Sequence, residues 1–82
     1  MSTLYEDELV KVILDVNPDN NGHSLVIPKK HYTDIFDIDD KTLNHIIKIA
    51  KKMDKLFKEK LNSDGLTLIQ NNGIAQEVKH FH

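Results

Sequence analysis

Val10, Val12, Leu14 and Val16 alternate with Leu9, Lys11, Ile13 and Asp15. A period of two belongs to a strand with one face on a core, so the spacing predicts a strand over residues 8–16. Asn17-Pro18-Asp19-Asn20-Asn21-Gly22 is dense in turn formers and reverses the chain. A second strand follows from His23 to Ile27, closed by Pro28. From Asp37 the period changes: Leu43, Ile46, Ile47, Ala50, Met53, Leu56, Phe57 and Leu61 recur at steps of three and four, the apolar stripe of one long helix. Asp37, Asp39 and Asp40 supply a cap and negative charge at its start, and Lys58 and Lys60 positive charge near its end. Asn62-Ser63-Asp64-Gly65 stops it. Leu66 to Gln70 reads as a third strand, Asn71-Asn72-Gly73 as a turn, and Val78 to His82 as a last short strand. The predicted class is α+β, an antiparallel meander sheet with the helix packed on one face, in a single domain over 1–82.

Composition narrows what such a domain can do. With 82 residues and no cysteine, disulfides, thiolate nucleophiles and Cys-containing zinc sites are excluded, so histidine, carboxylate, hydroxyl or backbone groups must carry any chemistry. A net charge of -2 from interspersed acids and bases gives no footprint for nucleic acid or an anionic membrane. No window is apolar enough to span a bilayer, and the start lacks the basic and apolar runs of a secretory signal, so the expected location is cytoplasmic.

Residues two apart on a strand share a face, which sets His80 beside His82 and turns Phe81 toward the helix. The pair alone is as compatible with two solvated histidines at a strand end as with a site. The non-core face of the first strand adds weight to a site. Leu9 and Ile13 share it with Asp15, so a flat apolar ligand fits there with its hydroxyls on the carboxylate, as does a partner subunit. His23 stands at the head of the second strand on the face of Leu25 and Ile27. Asn71-Asn72-Gly73 with Gln76-Glu77 makes a loop rich in amide donors, suited to an anion. His31 and His45 read as surface residues.

Taken in order, Asp15-Val16-Asn17-Pro18, Gly22-His23-Ser24-Leu25-Val26-Ile27-Pro28-Lys29-Lys30-His31, Gln70-Asn71-Asn72-Gly73 and Gln76-Glu77-Val78-Lys79-His80-Phe81-His82 closely resemble the histidine triad (HIT) family. The resemblance implies a HIT-like fold and a purine-nucleotide site, with Leu9 and Ile13 in the base pocket and Asp15 on the ribose hydroxyls. It further implies that His82 is the nucleophile toward the α-phosphorus of a nucleoside phosphoramidate or dinucleoside polyphosphate. By the same resemblance His80 is the first triad member, His23 the supporting upstream histidine, and Asn71, Gln76, Glu77 and Val78 the phosphate-side segment. A homodimer without cofactor is implied as well.

The chain departs from the family pattern in ending before a third histidine, in lacking the usual preceding helix and strand, in a shorter loop from Gly73 to Gln76, and in having Ala75 where glycine is usual. These departures leave open a nucleotide-binding or interaction module without turnover. A third alternative is a metal site built from His23, His80 and His82 on adjacent strands.

Overall fold

The computed structural model describes residues 3–14, 23–62, 65–76 and 78–82. Strands β1 (Thr3–Glu6), β2 (Val10–Leu14) and β3 (Ser24–Pro28) form an antiparallel meander in that spatial order. Val12 faces Val26 across the β2–β3 ladder, flanked by Val10 opposite Pro28 and Leu14 opposite Ser24. Pro28 has no amide hydrogen to give, which suits the last position of a strand.

The hydrophobic pattern, which begins at residue 8, does not predict β1, and the resemblance implied that the preceding strand was missing. The chain nevertheless has one. Thr3-Leu4-Tyr5 is β-prone, and Asp7 makes the reversal. Its Oδ1 accepts from the amides of Leu9 at 2.8 Å and Val10 at 2.9 Å, while its own amide donates to the Val10 carbonyl at 3.0 Å. β1 pairs with β2 through Thr3–Ile13, Tyr5–Val12 and Glu6–Lys11, with a shift of register between Thr3 and Tyr5.

Helix α1 (Asp40–Leu61) starts three residues later than the acidic cluster suggests. Asp34 holds residues 35–38 in turns, its Oδ1 accepting from the amides of Phe36 and Asp37. Asp39 is the N-cap, extended at φ −75°, ψ 154°, and its side chain accepts from the Thr42 amide. Asn62, at φ 53°, takes the left-handed conformation that ends the helix.

Val10 and Val12 from β2, Ile46, Ile49 and Met53 from α1, and Tyr32, Ile38 and Phe81 from the connecting segments form the core. Ile49, at 2 % exposure, is more central than the sequence stripe suggested, while Ile47 at 53 % and Leu56 at 44 % face outward. The helix is rotated so that the line through Ile46, Ile49 and Met53 meets the sheet.

The two strands expected after the helix do not form ladders among the described residues. Leu66, Leu68 and Ile69 lie in a stretch that is neither helix nor strand and are 49–70 % exposed. Residues 78–80 bend, and Phe81 makes one backbone bond, its amide donating to the Tyr32 carbonyl at 2.7 Å. Extended propensity is local, but a ladder needs a facing row of amides and carbonyls.

Candidate active site

Phe81 decides where the histidines stand. Its ring is buried at 2 % exposure in the core under α1, and its amide is fixed to Tyr32, so the residues on either side are turned outward. His80 and His82 come together, ring centroids 5.7 Å apart and planes inclined by 55°. The alternation argument thus gives the right neighbours, although this segment is bent rather than a paired strand.

His82 Nδ1 lies 3.1 Å from the backbone carbonyl of His80. A carbonyl oxygen only accepts, so the ring donates from Nδ1, and in the neutral imidazole the lone pair then resides on Nε2. A ring held in that tautomer keeps its basic nitrogen on the side away from the His80 carbonyl. It is the backbone of His80, rather than its imidazole, that fixes the tautomer.

Gln76 is buried at 7 % exposure and its carboxamide is committed to the protein. Oε1 accepts from the Gly73 amide at 3.0 Å, and Nε2 donates to the carbonyls of Thr33 at 2.7 Å and Val78 at 3.4 Å. That clamp closes the short 3-10 turn Gly73–Ala75 and ties it to the segment before α1. Gly73 sits at φ +62°, where a side chain would strain the backbone. Asn72 adds a second tie, its Oδ1 accepting from the Ile35 amide at 2.8 Å. Lys79 Nζ donates to the Gly73 carbonyl at 3.0 Å. Asn71 and Val78 are exposed on the same loop.

On the sheet, Ile13 is buried and lies outside the main core cluster, as expected of the face opposite Val12. Leu9 does not join it. It lies in the bend before β2, and its half-buried side chain packs against the core, because alternation holds only inside the strand. His23 is exposed at the residue before β3. Asp15, Glu77 and the turn at 17–22 lie outside the described residues. No three metal-binding side chains converge among the described residues, so the site built from His23, His80 and His82 is not assembled there.

Of the two histidines read from the sequence as surface groups, His31 is exposed, while His45 is half-buried and has a partner. His45 Nε2 meets Asp7 Oδ2 at 2.5 Å, joining α1 to the β1–β2 turn. The His31 ring lies 6.4 Å from that of His80. For His31 the signal was available in its place directly after Lys29-Lys30; for His45 the partner is 38 residues away.

An antiparallel meander backed by one helix, with two half-buried imidazoles brought together on either side of a buried phenylalanine, defines a small α+β domain with a candidate histidine site. The chain belongs to the HIT family, whose domain model matches residues 1–82. It is 47 % identical over 81 residues to an uncharacterized HIT-like protein of Methanocaldococcus jannaschii, covering 96 % of this chain and 62 % of that protein. It is 41 % identical over 81 residues to the adenosine 5'-monophosphoramidase of Saccharomyces cerevisiae, covering 96 % and 49 %. With an adenylylsulfatase of Arabidopsis thaliana it shares 34 % identity over 79 residues, covering 96 % and 40 %. The crystal structure of a HIT family protein from Bacillus anthracis superposes with a TM-score of 0.89 at 41 % identity, over 99 % of this chain and 59 % of that one. The chain spans about three fifths of the length of the first relatives it matches. Among the described residues no helix is long and apolar enough to cross a membrane.

Proposed function

We propose that this chain carries the nucleotide site of a hydrolase or transferase acting on the α-phosphate of purine nucleotide conjugates, with His82 as the nucleophile. The observation that carries the reading is the bond from His82 Nδ1 to the His80 carbonyl, which leaves Nε2 as the free base. Nε2 attacks the α-phosphorus and an N–P bond forms. The bond to the leaving amine or oxyanion breaks, and the leaving group takes the electron pair, an amine also taking up a proton from solvent. Water then attacks the same phosphorus, the N–P bond breaks, the nucleoside monophosphate is released and the imidazole is regenerated. The names of two relatives, a monophosphoramidase and an adenylylsulfatase, support chemistry at that phosphorus.

Around this centre, Ile13 serves the base, Asp15 the ribose hydroxyls, and Asn71, Glu77 and Val78 the phosphates, with His23 supporting the cluster. Leu9 packs against the core instead of meeting the base, and Gln76 acts by holding the loop in shape. A homodimer in the cytoplasm is the expected working form, and the exposure of Ile47 and Leu56 on α1 is compatible with a second copy there.

Incubation with adenosine or guanosine phosphoramidate tests the reading. The expected result is release of the nucleoside monophosphate at a rate reduced in His82→Ala by several orders of magnitude, up to about 10⁶-fold, as for loss of a nucleophile. Equal rates in the two proteins would refute it.

A further inference from the structure

We propose that the lysine ridge on the solvent side of α1 docks an acidic, helical segment of a partner protein, with carboxylates laid against ammonium groups along the helix. The ridge uses none of the residues around His82, so it stands apart from the nucleotide reading.

Acids and bases are interspersed along the chain, but the fold separates them. Helix α1 carries seven of the eleven lysines against three acids, a charge of +4. The rest of the chain holds four lysines against ten acids, a charge of −6. Lys48, Lys51, Lys52, Lys55 and Lys58 are all exposed. At 3.6 residues per turn they fall within an arc of about 120°, on the side of the helix away from the buried Ile46, Ile49 and Met53. Their side chains stand around a trough of about 480 Å³, which half-buried Asp54 also lines.

The ridge is not neutralised from within. Among the described residues the ion pairs join Lys29 to Glu6 and His45 to Asp7, and neither involves an α1 lysine. Asp54 and Glu59 stand one turn from Lys58 and Lys55, yet no such pair forms. Lysines three and four residues apart repel one another and weaken a helix. The helix dipole favours Lys58 and Lys60 at the C-terminal end, but Lys48, Lys51 and Lys52 lie too far from that end to benefit. Carboxylates laid along the ridge would relieve this repulsion.

The shape of the ridge selects the partner. Successive lysines rise by about 4.5–6 Å along the axis, the spacing of carboxylates three and four residues apart on a second helix. A trough walled by aliphatic stems receives a rod along its length, whereas a flat anionic membrane would reach only the lysine tips. A helix that enters a bilayer surface does so by a free apolar face, and that face of α1 is buried in the core. Nucleic acid fits less well. The chain has no arginine to fork onto bases, and the ridge has no aromatic ring for stacking. A symmetric second copy would set lysine against lysine.

The test titrates the full chain into a fluorescein-labelled helical peptide of glutamate and alanine, with glutamates at steps of three and four. Fluorescence anisotropy should show saturable binding that weakens with salt. A peptide of the same composition with its glutamates bunched at one end should bind roughly tenfold more weakly, because complementarity of position is lost. A Lys51→Glu, Lys55→Glu double variant should lose roughly ten- to a hundredfold in affinity as like charges come to face each other. The milder Lys51→Gln, Lys55→Gln variant should lose less, with a circular dichroism spectrum equal to that of the wild type. Equal binding of the two peptides, or unchanged affinity in the glutamine variant, would overturn the proposal. So would tighter binding to a single-stranded oligonucleotide or to phosphatidylserine vesicles. A change of sedimenting mass in the glutamine variant would put a second copy on the ridge and overturn it as well.

Discussion

Asp7 accepts hydrogen bonds from Tyr5 Oη, the amides of Leu9 and Val10, and His45 Nε2. Burial opposes its ionisation, but the bonds from His45, Val10, Leu9 and Tyr5 outweigh that and hold the carboxyl well below the usual range. Because the folded value is depressed, the stabilisation is fully present above the unfolded carboxyl's titration, near pH 4, and is lost as pH falls through the folded value. Asp7→Asn should cost about 2 kcal/mol at pH 7, the scale of hydrogen bonds to a charged group. Urea unfolding of both proteins at pH 7 and pH 3 checks this, and the difference between them should narrow in acid. The side chain is 23 % exposed, so salt will weaken the pairing only in part. From the sequence, Asp7 was one acid among 13 acidic residues. Its importance comes from His45, and no local pattern joins two residues so far apart.

At the scale of elements, α1 depends on one residue outside it. Asp39 caps the helix through the Thr42 amide and accepts from Tyr32 Oη at 2.7 Å, so the same carboxylate ties the helix start to the segment leaving β3. Hydrogen bonds from Thr42 and Tyr32 hold Asp39 below its ordinary titration range. Asp39→Ala should lower Tm by several degrees, while Asp39→Asn, which keeps a capping oxygen, should recover most of the loss. Thermal unfolding followed by circular dichroism at 222 nm separates the two. The cap and the helix were legible because their signals lie within a few residues of each other. The rotation of the helix was less so. A stripe containing both Ile46 and Ile47 has two possible centres, and the sheet beneath selects the one that buries Ile49. The strands expected at 66–70 and 78–82 misled for a related reason. Alternation records which side chains share a face, whereas pairing depends on a neighbour the segment does not contain.

For the molecule as a whole, core and site meet in Phe81. Its ring joins Ile46, Ile49 and Met53 from the helix and Val10 and Val12 from the sheet, and its backbone presents the flanking histidines. Phe81→Ala should cost about 3–5 kcal/mol through the lost burial and the cavity left behind. In an 82-residue chain that is a large share of the total stability. The expected outcome is loss of helical signal at 25 °C together with loss of the dispersion of the histidine ring resonances, whereas Phe81→Leu should keep the fold with a lowered Tm. Retention of both signals in the alanine variant would show that the site is held by something other than this ring. The sequence by itself determined the family, the α+β class, the long helix and the neighbouring pair His80 and His82, because each is written in short-range periodicity or a contiguous motif. Only the tertiary structure decided that β1 pairs with β2, that Gln76 turns inward, that Asp7 joins His45 and that His31 stands beside His80. Each of these requires residues distant in the chain to be brought together by burial of the common core, and that free energy belongs to the packed molecule and to no segment of it.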